Sequence, residues 1–496
     1  MKFKLLRAYV AQAYVSLIGI VLMPLYLHYL GAEAFGLVGF YVMLQAWMQI
    51  LDMGLTPVLS REMSRFRAGT LSVAEAAVRL RTLEVVQGVL AVSALTLLCV
   101  LSSWVGRAWF SAGTLSEESL THCVILSGFA VALRWLAGLY RATLIGLERQ
   151  DSVNVLVVGF ATLRFVGVLP LLKYVSVYPE YFFGFQALVS IIELATFAWT
   201  VHRIIPCGIS IGADRKALGA MLPMVGSMSF LTAMWVTMTQ VDKLILSGLL
   251  TLKEYGYFTF AVMAASGVLV LVPPLNQIVQ PRLIILTERR EEDALAELYR
   301  LISQLAVIAF LALGGGLAFF AEPILRIWSG SGEVAAAAAP ILFWYGLANA
   351  VVGILVPPFM LQFARGDLRL HVLGNLILLA TLVPALVFSA QRWGAGGAGQ
   401  VFFVINLLFL VFWIPIVHRR FLPDLTWQWS LHDILPVALV IWAVIAMASK
   451  ILPNSLQPFH TLLWIGGVVI VAAIMGIVAG YHSRLLVKRL FSKAMK

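Results

Sequence analysis

Runs of about 20 apolar residues, separated by short stretches that carry charge, Gly or Pro, recur from one end of this 496-residue chain to the other. An α-helix rises 1.5 Å per residue, so about 20 such residues cross the roughly 30 Å hydrocarbon layer of a bilayer. Hydrocarbon offers no partner to a backbone N–H or C=O, and runs of this length satisfy theirs as helices. Composition agrees: 61% of the residues are apolar and 12% charged, against about 45–50% and about 25% in soluble domains. A soluble fold cannot hide that much apolar surface. The chain reads as an all-α, multi-pass membrane protein.

The apolar runs predict fourteen spans, at 8–30, 36–58, 83–105, 120–146, 152–173, 180–202, 220–248, 256–281, 301–321, 338–363, 369–390, 397–418, 433–452 and 459–482. Basic residues test this count, because Lys and Arg accumulate in cytoplasmic loops. With the N-terminus inside, and residues at span edges counted with the adjoining loop, 25 of the 35 Lys and Arg fall in inside segments and four deep within spans. The remaining six, Arg107, Lys173, Lys253, Arg326, Arg392 and Lys450, occupy outside loops one apiece. A wrong count would scramble that alternation, so both termini are expected in the cytoplasm. The opening Met1-Lys2-Phe3-Lys4-Leu5-Leu6-Arg7 resembles a signal peptide, with Ala11-Gln12-Ala13 as a passable cleavage site. The apolar run continues to Leu30, however, so an uncleaved first helix is expected.

A net charge of +11 would suit nucleic acid only if the basic residues formed a stripe or an aromatic-rich patch. They sit instead in short clusters between spans, and no nucleic-acid partner is expected. Cys99, Cys123 and Cys207 have no paired spacing that would suggest a disulfide framework or metal site. The longest inside loops, 61–82 and 282–300, are charged and amphipathic, as expected of helical connectors at the membrane surface.

An offset of 220 residues relates Glu33-Ala34-Phe35-Gly36-Leu37-Val38-Gly39-Phe40 to Lys253-Glu254-Tyr255-Gly256-Tyr257-Phe258-Thr259-Phe260. The same offset brings 57–61 next to 277–281. The seventh helix follows the first at an offset of six spans, so the halves would run in the same direction, as parallel repeats about an axis along the membrane normal. The expected organisation is an N-terminal six-helix lobe at 1–203, a second at 204–418, and an additional helix pair with a basic tail at 419–496.

There is no G-x-x-x-x-G-K-[ST] loop to cradle ATP, no H-E-x-x-H and no G-x-S-x-G. The short, nearly uncharged outside loops do not suit a membrane polymerase or ligase. Transport by rocking of two lobes is the expectation, with no enzyme activity and no cofactor.

A charge near mid-bilayer costs several kcal/mol and by default faces a cavity or a partner. Arg134, Arg164 and Lys243 are cations at depth, with Arg141 seven residues after Arg134 on the same helix face. Such cations suit an anionic substrate, since Arg offers phosphate a planar fork and Lys a point charge. Asp52, Glu193 and Asp242 are candidates to bind a coupling H⁺ or Na⁺ or to gate. The competing reading is structural ion pairing, such as Glu193 with Arg164, and interfacial anchoring for the adjacent Asp242 and Lys243. Pro24, Pro57, Pro170, Pro223, Pro273-Pro274, Pro357-Pro358, Pro384 and Pro415 predict kinks that suit alternating access. Asn276, Asn349, Asn375 and Asn406 read mainly as helix–helix glue, and the tryptophans near span ends as an aromatic belt.

The stretch Tyr29-Leu-Gly-Ala-Glu-Ala-Phe-Gly-Leu-Val-Gly-Phe40, continuing through Leu51-Asp-Met-Gly-Leu-Thr-Pro57 to Ser60-Arg-Glu62, resembles the N-terminal signature of bacterial polysaccharide-biosynthesis flippases. Thr239-Gln-Val-Asp-Lys-Leu-Ile-Leu-Ser247 with Glu254-Tyr-Gly-Tyr257 strengthens the likeness. These are the O-antigen (Wzx-type) translocases of the multidrug/oligosaccharidyl-lipid/polysaccharide exporter superfamily. The resemblance implies two lobes around a central cavity in the bacterial inner membrane. It also implies an undecaprenyl-pyrophosphate-linked oligosaccharide cargo, an ion gradient as driving force, and membrane lipids and polysaccharide polymerase or other assembly proteins as partners. Asp52, Arg61, Asp242 and Lys243 match the family motifs. A lipid II-type flippase and a drug or small-cation exporter remain alternatives.

Overall fold

Helices account for nearly all regular structure in the computed structural model, which describes residues 2–52, 54–111, 113–205, 214–452 and 457–486. Among them the only extended pairing is an isolated bridge between Ser111 and Thr251. Cys207 and the tail residues Lys488, Arg489, Lys493 and Lys496 lie outside the described residues, as does the side chain of Pro223.

The chain divides into two compact units, Met1–Gly256 and Tyr257–Lys496. The first contains α1 (Lys2–Leu51), α2 (Leu55–Arg67), α3 (Val73–Trp104), α4 (Glu117–Gly146), α5 (Gln150–Val166), α6 (Val168–Tyr174), α7 (Pro179–His202) and α8 (Arg215–Leu249). The helix α9 (Leu252–Ser266) begins in the first unit and ends in the second. The second continues with α10 (Val272–Glu288), α11 (Glu292–Ala306), α12 (Ala312–Phe319), α13 (Ala321–Ser329), α14 (Gly332–Ile354), α15 (Val356–Ala364) and α16 (Arg369–Leu408). It ends with α17 (Ile414–Phe421), α18 (Thr426–Gln428), α19 (Leu435–Ile451) and α20 (Pro458–Ala479), the last two packing on each other and on α12.

Among the described residues eleven stretches are long and apolar enough to cross a membrane. Two of them, Val10–Leu51 and Arg369–Phe421, are far longer than one crossing needs. Each contains a glycine in a conformation that side chains disfavour, Gly31 (φ 80°) and Gly394 (φ 60°), where the helix direction breaks. Division there and the addition of α8 would give the expected fourteen; the structure itself establishes eleven.

The second span, expected at 36–58, ends earlier, at Leu51. Gly54 adopts the left-handed conformation (φ 73°), and the side chain of Asp52 accepts hydrogen bonds from the Thr56 N–H (3.2 Å) and hydroxyl (2.5 Å) in the first turn of α2. The connector expected at 61–82 is therefore part of α2 and the start of α3, the latter opened by a Ser72–Glu75 capping box. Several prolines also sit where they cost little. Pro273-Pro274, Pro357-Pro358 and Pro415 occupy first turns of α-helical segments, where the regular hydrogen-bond pattern changes and a missing N–H costs little. Pro24 and Pro384 lie within helices, as expected of kinks.

The 220-residue echo has a physical counterpart within the first unit. A Cβ on Gly36 would strike the Leu252 carbonyl oxygen, and one on Gly256 would strike the Ala32 carbonyl oxygen. Residues 32 and 36 are the echoes of 252 and 256, so the crossing is reciprocal: each glycine receives the backbone of the other's helix. A similar echo occurs within each unit, where Phe40 packs edge-on against Phe110 (5.0 Å) and Phe260 stacks on Trp328 (4.3 Å).

In the second unit a buried polar cluster ties the final helices to α11. Asp433, 0% exposed, accepts from Arg300 Nε (2.6 Å) and Nη2 (3.1 Å) and from Gln304 Nε2 (3.0 Å), while Gln304 Oε1 accepts from the Ser483 N–H (3.1 Å). Asn349 donates to the Ala265 carbonyl (2.9 Å) and joins α14 to α9, as the glue reading expects. Asn375 and Asn406 instead bond within their own helix, to His371 and to the Phe402 carbonyl.

The reciprocal glycine crossing predicts that Gly36→Val or Gly256→Val lowers stability by about 1–3 kcal/mol through overpacking. Gly88→Ala, in a helical position open to 4 Å, should instead be neutral or stabilising by up to about 1 kcal/mol. Unfolding in detergent, followed by heat or denaturant, distinguishes the two.

Candidate functional site

Three arginines and one glutamate meet within the first unit, on helices that pack along one another. Arg134 and Arg141 lie on α4, Arg164 in the last turn of α5, and Glu193 on α7. The seven-residue spacing puts Arg134 and Arg141 on one face, and Arg141 Nη2 donates to the Arg134 carbonyl (3.3 Å). Arg164 and Glu193, 5% and 2% exposed, form a buried ion pair. Gln186, one and a half to two turns before Glu193, donates to the Arg164 carbonyl (3.4 Å).

The charge around Glu193 is not balanced. Its carboxylate interacts electrostatically with Arg164, Arg141 and Arg134 together. Arg134 Nη1 donates to the Tyr41 hydroxyl in a long hydrogen bond (3.4 Å), and its Nε, like Arg164 Nε, is buried with no hydrogen-bond partner among the described residues. Arg134 and Arg141 are half-buried, whereas Arg164 and Glu193 are buried. The cluster thus runs from Arg134 and Arg141, residues that keep some exposure, to a third guanidinium held by a carboxylate. Donors arranged in this way can grip a planar or tetrahedral oxyanion.

The other sequence candidates have partners of their own. Asp52 caps α2 and also accepts from the indole Nε1 of Trp135 (3.2 Å), so its oxygens serve local structure beside the cluster. Lys243 turns back on its own helix, donating to the Thr239 carbonyl (2.6 Å) and lying 3.4 Å from the buried Asp242. The structure therefore joins Arg134, Arg141, Arg164 and Glu193. Lys243 and Asp242 form a separate pair.

Four polar neighbours escaped sequence reasoning: Tyr41, Gln186, Trp135, and Tyr26, whose hydroxyl donates to the Phe165 carbonyl (2.6 Å) next to Arg164. Tyrosine, glutamine and tryptophan carry no charge, so the cost of burial that exposes a deep arginine in a sequence does not single them out.

A family model described as "Polysaccharide biosynthesis protein" matches residues 6–284, more than half of the chain, and includes all four cluster residues. The chain belongs to this family. No curated protein matches it in sequence. Among solved structures it resembles the lipid II flippase MurJ in an inward closed conformation, with 13% identity over 95% of this chain and 98% of that one and a TM-score of 0.73. It also resembles an inward-facing multidrug resistance MATE family transporter of the MOP superfamily, with 13% identity, 83% and 98% coverage and a TM-score of 0.65. A Vibrio cholerae MATE transporter in the bent form gives 14%, 86% and 96%, and 0.52. The expected polysaccharide-biosynthesis family and an all-helical fold shared with these transporters are thereby established.

Removing one member of the buried pair strands the other charge, so Arg164→Ala and Glu193→Ala should each destabilise by about 3–5 kcal/mol. The double variant should lose clearly less than the sum. A double-mutant cycle by denaturant unfolding checks this, and strict additivity would show the two groups to be uncoupled.

Proposed function

We propose that this protein is a flippase that moves an undecaprenyl-pyrophosphate-linked oligosaccharide from the cytoplasmic to the outer leaflet of the bacterial inner membrane. The observation that carries the reading is the excess of guanidiniums, Arg134, Arg141 and Arg164 about Glu193, inside helices of membrane-crossing length. A pyrophosphate is the charged part of such a cargo, and bidentate Arg contacts are strong where water is scarce. Membership of the polysaccharide-biosynthesis family supports a glycan cargo. The fold shared with a flippase and with MATE transporters supports alternating access.

On this reading the cargo's diphosphate enters from the cytoplasmic side, where both chain termini also lie, and meets Arg134 and Arg141. The absence of a phosphate-binding loop from the sequence favours an ion gradient of H⁺ or Na⁺ as driving force. Glu193 is the best placed of the three acidic candidates to sense cargo, because it alone shares the cluster; Asp52 and Asp242 would act at a distance, in gating. The protein acts as a transporter, not an enzyme, and hands its cargo to a polymerase or other assembly proteins. A drug or small-cation exporter would want an excess of carboxylates at the same depth. A lipid II-type flippase differs only in the glycan.

Deletion of the gene should cause lipid-linked repeat units to build up on the cytoplasmic leaflet, with loss of surface polysaccharide. Complementation with Arg134→Ala should restore protein to the membrane but less than about a tenth of the export. Normal surface polysaccharide with altered drug sensitivity would refute the reading.

A further inference from the structure

The buried ion pair and the accessible arginines belong to one electrostatic system, yet they are not equally available to a ligand. Arg134 and Arg141 are half-buried; among the described residues the Arg134 side chain has a long hydrogen bond to Tyr41 and an Nε without a hydrogen-bond partner, while Arg141 donates one Nη2 bond to the Arg134 carbonyl. Arg164 is 5% exposed, its guanidinium already occupied through Nη2 by Glu193, while its Nε lacks a partner. An anion arriving at Arg134 and Arg141 therefore finds the third guanidinium taken. It also approaches a negative carboxylate, which interacts with all three arginines.

Resting on the cargo reading above, we infer that Glu193 is an internal counter-ion that competes with the cargo's diphosphate for Arg164. With the site empty, Glu193 holds Arg164 and partly offsets the positive charge, which would otherwise be costly at this depth. With a diphosphate bound, one phosphate lies on Arg134 and Arg141, and the second takes over Arg164 as Glu193 gives way. Occupancy of the site and pairing of Arg164 with Glu193 exclude each other. The carboxylate then serves release: by returning to Arg164 it helps expel the anion, so binding is kept weak enough for turnover. A purely structural pair predicts no exchange of this kind, because its Arg164–Glu193 contact would persist whether or not an anion is bound.

The experiment uses the full chain in nanodiscs, with binding of geranylgeranyl diphosphate and of inorganic pyrophosphate measured by calorimetry. Glu193→Gln keeps the side chain's shape and removes its charge. Loss of the competitor should tighten geranylgeranyl diphosphate binding roughly tenfold while polysaccharide export falls, as expected when release slows. Unchanged or weaker binding in folded Glu193→Gln overturns the inference. Should that variant fail to fold, Glu193→Asp, which shortens the reach to Arg164 by one methylene, should show a smaller rise in affinity; no rise overturns it equally. If the wild type binds the diphosphate and Arg134→Ala weakens it, but the Glu193 variants have no effect, only the counter-ion role fails. If the wild type binds neither probe, the cargo reading fails with it. Equal affinity for both probes assigns recognition to the diphosphate alone, and tighter prenyl diphosphate binding assigns part of it to the lipid.

Discussion

Hydrocarbon gives a polar group nothing to bond to, and that constraint shapes this protein at two scales. At the scale of the backbone it demands helices, and the described residues supply them almost without interruption. Some interruptions come where a glycine takes the turn, at Gly31, Gly54 and Gly394; others turn at Glu148 and Arg290, or come where prolines stand in the first turn of a helical segment. At the scale of side chains the same constraint makes each deep charge expensive, so such charges are few and held by named partners.

Those partners differ in kind between the two units. In the second, Arg300 and Asp433 are matched, and Gln304 and Ser483 complete the cluster, which is what a structural tie requires. In the first, three guanidiniums surround one carboxylate, and two buried Nε atoms lack acceptors. An anion site, as proposed for this cluster, would need such an imbalance, whereas a structural tie would not.

Much of the cluster was legible in the sequence for the same reason. Arg134, Arg141, Arg164 and Glu193 interrupt apolar runs, and a charge there is conspicuous whatever the fold; even the pairing of Arg164 with Glu193 is among the possibilities the sequence offers. Their neighbours were not legible. Tyr41 is 93 residues from Arg134, and Trp135 is 83 from Asp52, separations that only packing closes. Lys243 illustrates the opposite error of emphasis: its depth suggested the same site as the arginines, but its amine bonds to its own helix and to Asp242. The boundary of the second span was misjudged because a left-handed glycine and a cap at Asp52 divide an apolar run that hydropathy reads as continuous.

The amino-acid order alone settled the class of the molecule, its all-helical, multi-pass character and its family, because these follow from how apolar residues are spaced and from short motifs, both local properties of the chain. It also showed the 220-residue echo. That the echoed Gly36 and Gly256 receive each other's backbone was for tertiary structure to decide, as was the gathering of three arginines around one glutamate. Contacts of this kind depend on how helices distant in sequence are rotated and crossed. A rotation of one helix by 100°, the step between adjacent residues, would change every partner while leaving the hydropathy pattern as it is.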